Sequence, residues 1–138
     1  MNKHIKSALA LAFGASLALS ATACSSSPAE NEAGACTAYN DFVAAVAGVQ
    51  ATVDGSSSVG EIREAREKVA TTYKELEGNL DKVSADRKQA LADSWEQLNK
   101  KIEDLDKDLS VPEAKAAISD ELAALKSAQT SANTDLKC

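Results

Sequence analysis

Apolar residues recur at helical spacing in four stretches of this chain, and polar or turn-forming residues separate them. Between about Cys36 and Val53, the positions Tyr39, Phe42, Val43, Val46, Val49 and Val53 fall at helical spacing and line one side of a helix. Gly48 weakens that helix by about 1 kcal/mol relative to alanine. Asp54-Gly55-Ser56-Ser57-Ser58 then interrupts the pattern with turn residues. Ser58 and Glu61 have the spacing of a capping box, in which each side chain satisfies the other residue's backbone amide, so a second helix starts there. Ile62, Val69, Tyr73, Leu76, Leu80 and Val83 follow in a heptad-like seam that stays in phase across Gly78. Such a seam belongs to helices packed nearly parallel or antiparallel.

Past Val83 the seam loses phase. Its continuation would fall on Arg87, Ala90, Ser94, Gln97, Lys101, Asp104 and Asp108, whereas the apolar positions are Leu91, Trp95, Leu98, Ile102, Leu105 and Leu109. One residue turns a helix by about 100°, enough to swing the stripe off the core. A tight turn near Ser84 to Asp86, with Ser84 as N-cap, resets the register; one long bent helix is the alternative. The last boundary is the plainest. Ser110-Val111-Pro112-Glu113 joins capping-box spacing to a proline in the first turn, where no amide hydrogen is needed. The fourth helix runs to about Asp135 on a stripe of Ala114, Ile118, Leu122, Leu125, Ala128 or Ala132, and Leu136.

Four helices with short connections predict an all-α fold, an antiparallel up-down-up-down four-helix bundle over residues 36–138. The long bent helix would instead make a three-helix bundle. Aromatic residues are only 4% of the chain, so Leu, Ile, Val and Ala must fill the interior. That favours slim, closely packed helices over a roomy pocket.

Ahead of the bundle the pattern changes kind. Lys3 and Lys6 open the chain, an apolar run extends from Ala8 to Leu19, and small residues follow in Ser20-Ala21-Thr22-Ala23-Cys24. These are the three parts of an export signal. The run is too short to cross a bilayer, which takes about 20 apolar residues. Ala21-Thr22-Ala23-Cys24 resembles the lipobox of bacterial lipoproteins, with Ala21 where that family usually has Leu. The resemblance covers residues 1–24. It implies that residues 1–23 are removed and that the Cys24 sulfur carries a diacylglyceryl group. The lipid would hold the protein on the outer face of the bacterial cell membrane, or on an outer membrane where the cell has one. Two acyl chains anchor a protein stably, whereas one holds it only marginally. The competing reading is ordinary cleavage after Ala23, leaving Cys24 a free or disulfide-bonded thiol. Residues 25–35 are Ser-rich at their start and lack apolar periodicity. They read as a flexible tether, completing a lipidated segment over 24–35 and spanning roughly 18 Å on average.

If Cys24 carries lipid, two of the three cysteines remain. Cys36 and Cys138 in an exported protein are then most simply a disulfide, and an even number of helices returns the chain to the end where it began. Two free thiols or an intermolecular bridge are the alternatives.

Charge and composition narrow the chemistry. Removal of residues 1–23 takes away Lys3 and Lys6 and leaves 13 basic residues against 21 acidic ones, a formal charge of −8. Nucleic acid is not an expected partner, because binding it rests on a basic surface. The only histidine, His4, belongs to the removed segment. No imidazole is then left for general-base, triad or zinc chemistry, and lipidated or paired cysteines offer no thiolate. Asp104, Asp106 and Asp108 imitate the first ligands of a calcium loop. Leu109 stands where that loop needs Gly and Lys115 where it needs Glu, so the run reads as a solvated face of the third helix without a metal. Glu64 with Lys68, Glu96 with Lys100 and Glu103 with Lys107 have the spacing of surface pairs within a helix. Tyr39, Phe42, Tyr73 and Trp95 fall on apolar stripes and read as core rather than as a ligand site. No catalytic residue and no cofactor is assigned.

The expected function is that of a noncatalytic, membrane-anchored envelope lipoprotein, an interaction or structural module whose acidic helical surface meets an envelope protein or a cell-wall component. Second comes a carrier or sensor holding a small apolar molecule between its helices, which needs a pocket of roughly 300 Å³ or more. The oligomeric state is left open, since a surplus apolar stripe could pair two molecules.

Overall fold

The computed structural model describes residues 27–55, 58–83 and 85–138. The export signal, Cys24 and Ser84, on which the sequence makes predictions, lie outside the described residues. Four helices are described: α1 Pro28–Asp54, α2 Val59–Leu80, α3 Ala85–Glu103 and α4 Val111–Leu136. Consecutive helices pack as two hairpins, α1 with α2 and α3 with α4, and the hairpins join along α1 against α4 and α2 against α3. This is the up-down-up-down four-helix bundle. The break between α2 and α3 rules out the bent three-helix alternative; it falls at Asp81–Val83, where the Val83 amide turns back to the Leu80 carbonyl at 3.0 Å.

The core is aliphatic, as the scarcity of aromatics requires. Phe42 and Val49 of α1, Ile62, Val69, Leu76 and Leu80 of α2, Leu91, Leu98 and Ile102 of α3, and Ile118 and Leu125 of α4 are shielded from water completely or nearly so. Burying each of these larger side chains contributes about 1.5–3 kcal/mol. The α2 helix runs uninterrupted through Gly78. Among the described residues no helix is long and apolar enough to cross a membrane.

Two boundaries differ from expectation. The first helix starts at Pro28, not Cys36, so most of the segment read as a flexible tether is helical. Its start is chemically specified. The Ser27 amide donates to Glu30 Oε2 at 2.7 Å, the Glu30 amide donates to Ser27 Oγ at 3.3 Å, and Pro28 occupies the first turn. Ala35, two turns in, is fully buried. The third helix stops at Glu103, so residues 104–110 form a connection and not a further helical face. Arg63 of α2 explains the stop: its guanidinium donates to the carbonyls of Glu103 and Leu105, which a continuing helix would need for itself. Asp106 Oδ1 then accepts the Asp108 amide at 3.0 Å, a local turn that competes with helix. Leu105 remains buried although it is no longer helical.

Candidate functional site

The end of the bundle nearest Cys24 is built from the start of α1, the end of α2 and the end of α4. Lys137 takes the left-handed conformation (φ 56°) just past α4, its amide bonded to the Asn133 carbonyl at 3.0 Å. Cys138 follows and forms a disulfide with Cys36, Cα atoms 5.4 Å apart. The bond spans 102 positions, and in the chain-entropy account a closure of that length stabilises by up to about 4–5 kcal/mol. Because Cys36 lies two turns inside α1, the first eight residues of that helix project past the end of α4 by about 12 Å at 1.5 Å per residue.

One turn beyond Cys36, the Tyr39 hydroxyl donates to the Gln129 carbonyl at 2.7 Å inside the bundle. Gln129 is itself buried, and its side-chain amide nitrogen has no partner among the described residues. Periodicity did not assign it to the α4 stripe, although its place one turn beyond Leu125 puts it in phase. The other aromatics form a ladder across the core, Phe42 to Tyr73 with ring centroids 5.8 Å apart and Tyr73 to Trp95 6.3 Å apart. The Tyr73 hydroxyl is buried without a partner among the described residues, and burial pushes its pKa up to about 12, with Glu77 adding to the effect. These rings hold helices together. They offer no proton at neutral pH.

The remaining ionisable groups are surface fittings. Lys88 of α3 reaches Asp81 at 2.8 Å and Glu77 at 3.4 Å; chiefly the Asp81 hydrogen bond raises its pKa above the ordinary lysine value. Glu103, expected to pair with Lys107 one turn on, instead meets Arg66 across the α2–α3 seam, since Lys107 lies past the end of α3. Sequence reasoning missed Arg63 and Arg66 because nothing local marks a helix-capping arginine supplied from another helix. Glu30 and Glu113 sit below the usual carboxylate range; Ser27 backbone and Ser110 side-chain hydrogen bonds, respectively, are the leading causes.

Asp104, Asp106 and Asp108 are exposed in the α3–α4 connection. Among the described residues, no group of three or more His, Cys, Asp or Glu side chains is arranged to hold a metal ion. A surface groove between α1 and α4 has a volume of about 200 Å³ and is lined by Gln50, Val53, Leu122 and Ala123, with Lys115 and Lys126 beside them. Both lysines turn back to α1, Lys126 to Gln50 at 3.0 Å and Lys115 to Asp54. No family model, no curated protein and no solved structure matches the chain.

Proposed function

We propose that the protein is a lipid-anchored, noncatalytic envelope lipoprotein whose bundle serves as an interaction module at the cell surface or in the periplasm. The reading is carried by the cysteines. Cys36 pairs with Cys138, which leaves the lipobox residue Cys24 as the one of the three cysteines outside that disulfide. The arrangement also favours a module over a carrier: the groove between α1 and α4 holds about 200 Å³, and the larger hollow of about 460 Å³ beside Gly55, Val111 and Pro112 lies open on the surface rather than enclosed between the helices. An antiparallel bundle anchored before α1 turns its other end outward. That end comprises the α1–α2 turn near Gly55 and the α3–α4 connection with Asp104, Asp106 and Asp108. A basic or hydrogen-bond-rich partner suits such a surface.

Intact mass of the membrane-extracted protein, before and after reduction and beside a Cys24→Ala variant, tests the proposal. A diacylglyceryl mass gain that vanishes in the variant, with two thiols appearing only on reduction, supports it. An unmodified secreted chain overturns it.

A further inference from the structure

The stretch that separates the anchor from the folded domain is far shorter than its composition implies. Residues between Cys24 and a helix starting at Cys36 could have formed a loose leash, but α1 begins behind a Ser27 cap, and only Ser25 and Ser26 stand between that cap and Cys24. Three residue steps reach at most about 10 Å when fully extended.

The first two turns of α1 are also seated. Ala35 has no exposed surface, and Gly34 lies so close to α2 that a Cβ there would approach Asn79 Oδ1 at 3.1 Å. Asn79 is held in turn by the hydrogen bond that its side-chain Nδ2 donates to the Glu75 carbonyl at 2.8 Å. Pro28, Asn31 and Glu32 face Lys82 and Val83 of the α2–α3 turn across one shallow surface hollow. The α1 tip and the α2–α3 turn therefore stand level at this end of the bundle, while α4 stops two turns short, where Cys138 is tied to Cys36.

We infer that this leading edge, the first turn of α1 together with Asp81–Val83, rests on the lipid headgroup layer and holds the bundle upright on the membrane. The partner of the surface is the bilayer itself, an inference that rests on lipidation of Cys24. Covalent reach makes the contact, and charge does not: among the described residues Glu30, Glu32 and Asp81 offset Lys82 and Lys88 at this edge, leaving no basic patch there for anionic lipid. An α1 helix of 27 residues, about 40 Å long, then carries the acidic α3–α4 connection to a set height above the membrane.

Energy transfer to the bilayer tests this. The full-length lipoprotein is reconstituted in phosphatidylcholine vesicles containing a headgroup-labelled acceptor lipid, with a donor dye on the exposed site Lys82→Cys or Lys107→Cys. Transfer from position 82 is expected to be several-fold stronger than from position 107 and unchanged by salt. Inserting about 20 Gly and Ser residues between Ser26 and Ser27, a coil of roughly 25 Å, should bring the two values together. Equal transfer from both sites in the uninserted protein overturns the upright seating. Intact mass of the same preparation separates the two possible failures: a lipidated protein with equal transfer sinks this inference alone, and a protein without lipid sinks the anchoring on which it rests.

Discussion

The two hairpins of the bundle meet along two seams built from different materials. Where α1 meets α4, the joints are a disulfide between Cys36 and Cys138, a buried hydrogen bond from Tyr39 to the Gln129 carbonyl, and, at the far end, Lys115 on Asp54. Where α2 meets α3, they are guanidinium and ammonium groups: Arg63 on the carbonyls of Glu103 and Leu105 at and just past the end of α3, Arg66 on Glu103, and Lys88 on Asp81 and Glu77. The helices differ accordingly. From Ala33 to Val53, α1 carries one charged residue, Asp41, and its outward positions are small, such as Ala44, Ala47 and Ala51. Helices α2 and α3 are charged along their outer faces and bury larger aliphatic side chains in register. A small-residue face permits close approach but fixes register weakly. A covalent bond and a buried hydrogen bond supply the register that side-chain shape does not.

Reduction should therefore separate the seams most sharply. Opening the disulfide, or replacing Cys138→Ser, is expected to lower unfolding stability by up to about 4 kcal/mol, measured as the shift in denaturant midpoint with and without reductant. An unchanged midpoint would show that α1 and α4 hold without their covalent joint, and the contrast between the seams would collapse.

The two tyrosines provide a smaller contrast from one chemical change. Tyr39→Phe removes a satisfied buried hydrogen bond and should cost about 1 kcal/mol. Tyr73→Phe removes a buried hydroxyl that has no partner among the described residues and should be neutral or slightly stabilising. The same pair predicts alkaline behaviour. Burial raises both pKa values above 10.0, that of Tyr73 to about 12. A group raised in the folded state contributes its full stability below the unfolded value and loses it as pH rises through the folded one. Stability should thus decline from about pH 10 to about pH 12. A spectroscopic titration should show tyrosinate forming later in the folded than in the denatured protein; coincident curves would contradict the burial of both rings.

Much of this architecture was legible in the pattern of residues. Capping spacing marked the starts of α2 and α4, and the one-residue slip after Val83 marked the α2–α3 break, because each signal is local. Two features escaped for physical reasons. The start of α1 carries the same Ser-to-Glu spacing, with Pro28 in its first turn, but seats only Ala35, so no apolar stripe announced it. The end of α3 was masked by Leu105 and Leu109, since a leucine buried from a loop keeps the same place in the pattern as one buried from a helix. What ends the helix is Arg63, 42 positions away from Leu105 in sequence. Gln129 was passed over because it is polar, although its phase pointed inward. The proposed anchor at Cys24 follows from the lipobox resemblance together with the pairing of the other two cysteines, and its test is chemical.

The α1 cap offers a local test at comparable magnitude. Ser27→Ala should cost about 1 kcal/mol, felt as faster amide exchange in residues 28–35 with little change beyond Cys36, where the disulfide takes over. Glu30 gives this end a pH dependence of definite sign. Its pKa lies below 4.5 in the folded protein, so its contribution is present above pH 4.5 and is lost as pH falls through the folded value. Protection of the first turns should fade in acid before the core opens. Uniform loss of protection along α1 would mean that the cap governs the whole helix, not the part that overhangs α4.

The smallest effect belongs to the charged seam. Glu103→Gln removes one acidic partner of Arg66 and leaves Glu67 as the other, at a half-exposed site where the side chain of Glu103 keeps 53% of its surface in water. Exposed pairs of this kind contribute about 0.2–1 kcal/mol, so the change in denaturant midpoint should be slight. Its signature lies in salt. At about 1 M ionic strength the screening length shrinks to about 3 Å, and the difference between the variant and the parent should nearly vanish, whereas the cost of Tyr39→Phe should persist. If the Tyr39→Phe cost fades with salt as well, the α1–α4 seam depends on charge after all, and the division between a seam held by bonds and a seam held by screened charges fails.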